Sequence, residues 1–208
     1  MPIRTNRVGV FSPRLCGSVA YYAAMLRSGR VAIDCIEPYD KHHHLLHRMD
    51  VVATNGRQTL SVPLAKPHRG MTVGEVLLSD HGDWRRAHWA TLYSAYGRTP
   101  FFDYFADELK QILFSSAING IASLDCSLHS AIISFLDLPI ETVVVTHKSD
   151  LEGLEMADYR DSAIDEQPLA GEYYQIWSMR HGFQPNLSIL DLLFNLGREA
   201  IFVLRRGE

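Results

Sequence analysis

The stretch VGVFSPRLCGSVAYYAAMLRSGRVAIDCI, residues 8–36, decides the fold. Its apolar run at 8–11 predicts a strand, and Ser18 is placed to cap a following helix. Gly29 suits the end of that helix, where positive φ is favoured, and 31–36 predicts a second strand. Strand, helix and strand within about 30 residues form a βαβ unit, so we expect a parallel pair. The apolar face of the predicted helix repeats at Val19, Tyr22, Ala23 and Leu26.

Further along, residues 53–64 read ATNGRQTLSVPL, and an Asn-Gly pair is a strong hairpin signal. A two-residue turn at Asn55-Gly56 fixes the register of the two flanking strands. In that register the apolar side chains share one side of the ribbon, so turn chemistry and hydrophobic pattern agree. The predicted cross-strand pairs are Thr54 with Arg57, Val51 with Leu60, and Met49 with Val62.

The remaining pattern predicts a chain rich in helices around its centre, with Asp83 as the N-cap of the first one. Residues 148–172 carry eight acidic and two basic side chains and little periodicity, which predicts an acidic loop or lid. We therefore expect one α/β domain over 1–208: a small mixed sheet begun by the βαβ unit, a β-hairpin and a helical central segment. The other predicted elements are strands at 74–79, 141–146 and 173–179, helices at 84–96, 103–114, 120–138 and 187–196, and a helix extension or final strand at 200–204.

Composition narrows the function classes. The chain has 208 residues, 47% hydrophobic and 21% charged, with a net charge of −4, which is typical of a globular domain and disfavours a broad nucleic-acid surface. Its three cysteines are few, odd in number and widely spaced, which excludes a disulfide scaffold and favours reduced thiols in a cytoplasmic protein. They also lack a CxxC spacing, which disfavours thiol zinc sites and redox pairs. Arg4, Arg7 and Arg14 precede the uncharged run 15–26 as in a signal peptide, but its tyrosines favour a part of the fold. No stretch predicts a membrane span.

The densest chemical feature is DKHHHLLHR, residues 40–48. His42, His44 and His47 could hold a divalent metal, with Asp40 as a carboxylate ligand, although spacing fixes no complete ligand set. The alternatives are a simple loop of imidazoles, or an anion pocket in which these histidines act with Lys41 and Arg48.

The second feature is HGDWRRAHW, residues 81–89. On a helix, His81, Arg85 and His88 form a hydrogen-bonding stripe beside the Trp84 indole. Such a stripe suits a sugar or nucleotide, with His88 as acid or base. The alternative is that the tryptophans anchor the core and the arginines are solvated.

The third feature is RHGFQPNLSI, residues 180–189. His181 and Asn186 lie in a turn before a predicted helix N-terminus, which could hold an anion; plain loop and cap architecture is the alternative. Cys16 also precedes a helix N-terminus, where a thiol pKa can fall, so a Cys-His nucleophile is a further alternative.

Several long and distinctive sequence segments make the chain similar to the WbqC-like family, in the form common in Bacteroidetes. They are SDHGDWRRAHWATLYSAYGRTPFFDYFADEL at 79–109, ADYRD at 157–161 and YYQIWSMRHGFQPNLSILDLLFNLG at 173–197. The resemblance implies a link to O-antigen and other surface-polysaccharide synthesis, and a glycine or other aminoacyl transferase activity. Two departures stand out: SPRLCG at 12–17 replaces a Pro-aromatic-Gly-aromatic opening, and His47 replaces the Asn of an Asn-Arg pair that ends at Arg48.

These observations predict a transferase that moves a small group from an activated carboxyl donor to an amino sugar or sugar nucleotide. His88 or His42 would deprotonate the amine, and Arg48 and Arg85 would bind phosphate or carboxylate. The alternatives are a non-catalytic glycan- or partner-binding protein and a metal-dependent hydrolase. The cofactor is unassigned, with a divalent metal as the candidate, and the oligomeric state is open. All of this requires the imidazoles and guanidiniums near the hairpin and on the Trp-bearing helix to meet in one hollow.

Overall fold

The computed structural model describes residues 7–161 and 171–206. It opens with strand β1 (Arg7–Phe11), helix α1 (Val19–Ser28) and strand β2 (Arg30–Asp34). Ser18 caps α1 and Gly29 ends it with a φ of 69°. The two strands are parallel, so the predicted βαβ unit is confirmed. Arg4 of the signal-like stretch lies outside the described residues.

The hairpin is present, but its predicted register is wrong by two residues. Strands β3 (Arg48–Ala53) and β4 (Gly56–Ser61) pair Met49 with Leu60 rather than with Val62. Gly56 has a φ of 94°, whereas Asn55 is not among the residues with positive φ. A turn with a single left-handed residue, a glycine placed after two ordinary turn residues, moves the pairing relative to the predicted Asn-Gly turn.

Three helices form the central segment: α2 (Trp84–Tyr96), α3 (Phe102–Leu113) and α4 (Ile121–Leu136). All three were predicted, α2 from its start and stop signals and the other two from their apolar periodicity. Asp83 precedes α2 but its side chain makes no capping hydrogen bond. The strand predicted at 74–79 is wrong: a 3-10 turn at Val73–Glu75 is followed by isolated bridges, because apolar residues here are buried without a neighbouring strand to extend.

Strands β5 (Glu141–Val145) and β6 (Glu155–Asp158) complete a four-stranded sheet of order β5-β2-β1-β6. Every pair in this sheet is parallel, so all four strands end at the same edge, and the hairpin forms a separate antiparallel sheet. The α/β class is confirmed. Strand β6 falls inside the segment predicted as an acidic loop, which is therefore not loop throughout; its residues 162–170 lie outside the described residues, and the lid stays a prediction.

The C-terminal part is helical. It contains α5 (Ser178–His181), α6 (Ile189–Leu196) and α7 (Ala200–Leu204). The strand predicted at 173–179 is wrong, because this segment is held by side chains instead of a ladder. Gln175 donates to the carbonyl of Gln184, and the Asn195 amide oxygen accepts from the Ile176 N–H.

The core lies between the sheet and the helices. Helix α1 packs against the sheet on one side and against α6 and α7 on the other. Its tyrosines Tyr21 and Tyr22 are buried, and Tyr21 packs edge-on against the buried Phe11. Among the described residues, no helix has the length and apolar character required to cross a bilayer.

Candidate functional site

A cavity of about 240 Å³ lies beside the loop that follows β1, and we call it the arginine cavity. That loop, the polar face of the hairpin and the segment before α6 form its walls. The loop leaves the sheet at the carboxyl edge, where open α/β sheets hold their ligands. The cavity is lined by Arg14, Leu15, Cys16, Gly17, Ser18, His44, Leu45, Arg48, Met49, Asp50, Arg57, Thr59, Asn186 and Ser188.

The N-terminal ends of helices α1 and α6 form the floor of the arginine cavity. Ser18 and Ser188, the N-caps of α1 and α6, form an antiparallel bridge. In it the Val19 N–H donates to the Leu187 carbonyl at 3.0 Å. The Ser188 hydroxyl donates to the Cys16 carbonyl at 2.7 Å, so the bridge also fixes the loop after β1.

The first-turn N–H groups of α1 already have partners. Ser18 Oγ accepts from the Tyr21 N–H at 3.1 Å, and Asn186 Oδ1 accepts from the Ala20 N–H at 2.9 Å. Asn186 thus caps a helix distant in sequence rather than the one it precedes. Positive charge in the cavity therefore comes from side chains more than from the helix end.

The corrected hairpin register creates the polar wall. Arg57 donates to Asp50 Oδ2 from Nε at 2.9 Å and from Nη2 at 2.7 Å. Thr59 Oγ1 donates to Asp50 Oδ1 at 2.6 Å. The remaining Arg57 nitrogen donates to the Pro185 carbonyl at 3.3 Å, which joins the hairpin to the segment before α6. This carboxylate is fully engaged within the wall.

Arg48 differs from its neighbours. Within residues 7–161 and 171–206, no hydrogen bond or ion pair involves its exposed guanidinium, which lines the cavity. Arg14 is buried, donates to the Asp161 carbonyl at 3.1 Å and lies 4.7 Å over the Tyr21 ring. Three guanidiniums and a single carboxylate, Asp50, thus line one cavity of a protein whose net charge is −4.

A second cavity of about 350 Å³ adjoins the first, and we call it the histidine cavity. His44 and Arg48 line both. Burial, then the charge of Arg48, lowers the pKa of His47 to about 4, so this imidazole is neutral at neutral pH. The cavity is lined by Tyr39, Lys41, His44, His47, Arg48, Ser61, Val62, Pro63, Leu64 and Pro67.

The carboxyl edge of the sheet carries a further polar cluster behind the arginine cavity. The Ser12 hydroxyl donates to Glu37 Oε2 at 2.9 Å, and burial raises the pKa of Glu37 to about 7. Arg160 pairs with buried Asp34 at 2.9 Å and with Asp158 at 2.6 Å. These contacts tie together the ends of β1, β2 and β6.

Comparison with known proteins assigns the chain to a family. The family model of the WbqC-like protein family matches residues 18–175. The chain belongs to the WbqC-like protein family. It is also 27% identical over 189 residues to "Uncharacterized protein Rv1507c" of Mycobacterium tuberculosis, covering 76% of this chain and 80% of the relative. No solved structure matches. The finer expectation, a Bacteroidetes-type member, stays a prediction.

In this WbqC-like protein His88 lies behind the hairpin and outside both cavities. It is buried, donates from Nε2 to the Ser61 carbonyl at 3.1 Å and packs edge-on against Trp84. Burial lowers its pKa, and its Nδ1 has no partner among the described residues. Because Ser61 lines the histidine cavity, His88 supports that wall from behind.

The other predicted site residues on and before α2 also lie outside the arginine and histidine cavities. Arg85 lines a separate cavity of about 470 Å³, donates to the Leu113 carbonyl at 3.0 Å and lies 4.4 Å over the Trp84 ring. Trp84 is buried and donates to the Ser79 carbonyl at 3.2 Å. His81 is exposed. The predicted single hollow is therefore divided: the hairpin residues meet, and the stripe of α2 does not join them.

The histidine run is also divided. His42 is exposed and lines neither cavity, whereas His44 and His47 line the histidine cavity with Lys41 and Arg48. The structure thus brings together the residues of the anion-pocket alternative. In the described part of the chain, no three or more His, Cys, Asp or Glu side chains are grouped so as to hold a metal ion.

Two predicted residues near the third motif have structural partners. His181 Nε2 donates to the Thr54 carbonyl at 3.0 Å and so holds the hairpin turn, and Asn186 caps α1 while lining the arginine cavity. Cys16 lines this cavity too, but burial, with a smaller effect of Asp125, raises the pKa of its thiol. That environment disfavours a thiolate nucleophile.

Sequence reasoning did not single out Arg14, Asp50, Arg57 or Glu37 as site residues. The rule that ligands bind at the carboxyl ends of strands predicts the stretches 13–18 and 37–44 as the ligand edge, and these contain Arg14 and Glu37, but the rule does not select individual side chains. Asp50 and Arg57 alternate with the apolar residues of the hairpin, but only the correct register brings them together.

Proposed function

We propose that this WbqC-like protein transfers a small group, glycyl or another aminoacyl group, from an activated carboxyl donor to an amino sugar or sugar nucleotide in surface-polysaccharide synthesis. We place the reaction in the cytoplasm, with small molecules as substrates and no role for nucleic acid. Family membership supports the general assignment. The supporting geometry is the pair of adjoining cavities beside the carboxyl edge of the sheet.

The observation that carries the proposal is the wall shared by these cavities. His44 and Arg48 line both the arginine cavity and the histidine cavity. A group transfer requires two substrates whose reacting atoms lie within van der Waals contact. Two cavities that meet at an imidazole and at a guanidinium without a partner among the described residues suit that arrangement, with a donor in one and an acceptor in the other.

Charge favours the arginine cavity for the donor. Its carboxylate, Asp50, is already paired with Arg57, so Arg48 offers its charge to a ligand. A guanidinium binds phosphate or carboxylate through charge-assisted hydrogen bonds. The histidine cavity combines Tyr39, Pro63 and Pro67 with polar groups, and an aromatic ring with flat apolar neighbours suits a sugar ring.

His44 is our candidate base for the transfer. The acceptor amine attacks the carbonyl carbon of the donor, forming a C–N bond. The bond from that carbon to the leaving oxygen breaks, and its electron pair stays on the phosphate or other anionic leaving group. The His44 imidazole accepts the amine proton, and Arg48 stabilises the departing anion. In this scheme His88 and Arg85 have structural roles.

The first test is a thermal-shift panel of sugar nucleotides, acyl phosphates, pyrophosphate and divalent ions, followed by calorimetry on each hit. Arg48→Gln should weaken anion binding about ten-fold or more, because a charge-assisted contact is lost. Arg98→Gln removes the same charge at an exposed position that lines neither cavity, and should leave affinity unchanged. Equal affinities for both variants would refute the arginine cavity as the anion site.

The second test separates transfer from binding. With a donor and an acceptor from the panel, His44→Gln should lower the transfer rate about 100-fold while binding is retained. His42→Gln changes a neighbouring imidazole that lines neither cavity and serves as the control. Binding without any turnover in the wild type would favour the glycan- or partner-binding alternative, and activity dependent on an added metal would favour the hydrolase.

A further inference from the structure

Two cysteines from distant parts of the chain face each other outside the proposed site. Cys35 Sγ lies 3.9 Å from Cys126 Sγ. Cys35 follows β2 directly, and Cys126 is in the second turn of α4. Both are free thiols, 91 residues apart in sequence, and neither lines the arginine or the histidine cavity.

The backbone around Cys35 is fixed. Its N–H donates to the Val145 carbonyl at 3.1 Å, and its own carbonyl accepts from the Gly74 N–H at 2.7 Å. A Cβ added at Gly74 would lie 2.9 Å from that carbonyl oxygen, so the glycine permits the close contact. Cys35 therefore stays opposite α4, and the approach of the two sulfurs is a property of the fold.

Cys126 provides access from solvent. Its side chain is half-buried and lines an open surface cavity together with Glu108 and Ser130. The Cys35 and Cys126 sulfurs lie within hydrogen-bonding distance of each other, and this contact lowers the pKa of Cys35. The third cysteine, Cys16, is buried, and burial raises its pKa. Cys35 is also buried, so solvent reaches the pair through Cys126, and the buried Cys16, which is not part of the pair, serves as the internal control.

We propose that Cys35 and Cys126 form a peroxide-reactive dithiol that closes to an intramolecular disulfide. The Cys35 thiolate attacks one oxygen of hydrogen peroxide, the O–O bond breaks, and hydroxide leaves, giving a sulfenic acid. The Cys126 sulfur then attacks the Cys35 sulfur. The S–O bond breaks, and the sulfenic oxygen leaves as water with the Cys126 proton. Peroxide is reduced, and the two thiols are oxidised by two electrons in total.

The disulfide would act on the sheet edge that borders the proposed site. Cys35 lies between Asp34, which pairs with Arg160, and Glu37, which accepts from Ser12. Closing the bond ties this stretch to α4. The inference itself does not depend on the proposed function, because its readouts are thiol content and linkage.

In the test, the 208-residue chain is treated with hydrogen peroxide and then denatured. We expect one thiol by Ellman titration, an intact mass lower by two hydrogen atoms, and a peptide map that joins Cys35 to Cys126. Cys16→Ser should still close the same bond. Cys126→Ser should form no intramolecular bond and should leave a Cys35 sulfenic acid that dimedone traps.

Three outcomes would overturn the proposal: retention of all three thiols, a bond that includes Cys16, or overoxidation to sulfinic acid without any disulfide. If Cys35→Ser or Cys126→Ser is poorly folded, Cys35→Ala and Cys126→Ala repeat the measurement, and circular dichroism verifies the fold. Reduction with dithiothreitol should restore the mass and all three thiols of the oxidised wild type.

Discussion

Acid should destabilise this protein through one buried imidazole, His129 on α4. The ring is 6% exposed, with Nδ1 3.2 Å from the Tyr22 hydroxyl and Nε2 3.1 Å from Thr142 Oγ1. Burial lowers the pKa of His129 from its ordinary 6.5 to about 4. The folded protein therefore holds this side chain neutral over a range in which the unfolded chain protonates it.

The direction and the magnitude of the pH effect on the free energy of unfolding follow from the difference between the folded and the unfolded pKa of His129. Because the folded pKa is the lower one, the full contribution is present above about pH 6.5 and is lost as the pH falls toward 4. The loss amounts to about 2 kcal/mol at pH 5 and about 3 kcal/mol at pH 4. That is a large share of the roughly 5–15 kcal/mol that stabilises a typical domain.

Other titrating groups also change the stability of the wild type with pH. The prediction therefore concerns the difference in unfolding free energy between the wild type and His129→Gln. Burial raises the pKa of Glu37 to about 7 and that of Asp191 to about 6, and both therefore favour folding at lower pH. His47, half-buried, acts in the same direction as His129. His129→Gln removes a single titrating group and keeps a donor and an acceptor for its partners.

The assay is urea unfolding of the wild type and His129→Gln at pH 7 and pH 5. The stability advantage of the wild type should shrink by about 2 kcal/mol between these two values. His81→Gln changes an exposed imidazole and should leave the difference constant. An advantage of equal size at both pH values would show that His129 is not held neutral in the folded state, and the reasoning would fail.

Two local substitutions test the capping and the turn by the same unfolding assay. Ser188→Ala should lower the free energy of unfolding by about 1–2 kcal/mol, because the Ser188 hydroxyl accepts from the Leu190 N–H and donates to the Cys16 carbonyl. Asp83→Ala is the control and should change it by less than about 0.5 kcal/mol, since the Asp83 side chain makes no capping hydrogen bond. Equal losses for the two variants would contradict this prediction. Gly56→Ala should cost about 1–2 kcal/mol because of the positive φ, with nothing nearer than 3.9 Å to clash, and Gly56→Asn should cost less. A larger loss for Asn would contradict the assigned backbone.

Elements with a strong period or with clear start and stop signals were predictable from sequence, because their local and tertiary preferences agree. Helix α2 matches its predicted bounds, and β1, α1 and β2 follow the predicted βαβ order. The failures at 74–79 and 173–179 have another origin. Both segments carry apolar residues that are buried by contacts with remote parts of the chain, and a short apolar run does not show whether a neighbouring strand exists.

The candidate site was harder to predict than the fold because it depends on register and on distant loops. In the predicted register Asp50 would face Ser61, and its contacts with Arg57 and Thr59 would be absent. Asn-Gly is compatible with two turns that differ in the backbone of Asn55, and the sequence does not choose between them. A shift of two residues preserves the buried face, so hydrophobic patterning cannot detect the error.

The histidines of this protein have different structural roles. This explains why the histidine-rich motifs of the sequence predicted more site residues than the structure brings together. His88 and His181 each donate to a hairpin carbonyl, of Ser61 and Thr54, and so fix the hairpin against the helices. His88 is buried, and its burial lowers the pKa of the imidazole. His44 instead borders two cavities. Since these roles depend on which side of the hairpin each imidazole reaches, the density of histidines in the sequence alone could not separate the imidazoles that support the wall from the one that borders the cavities.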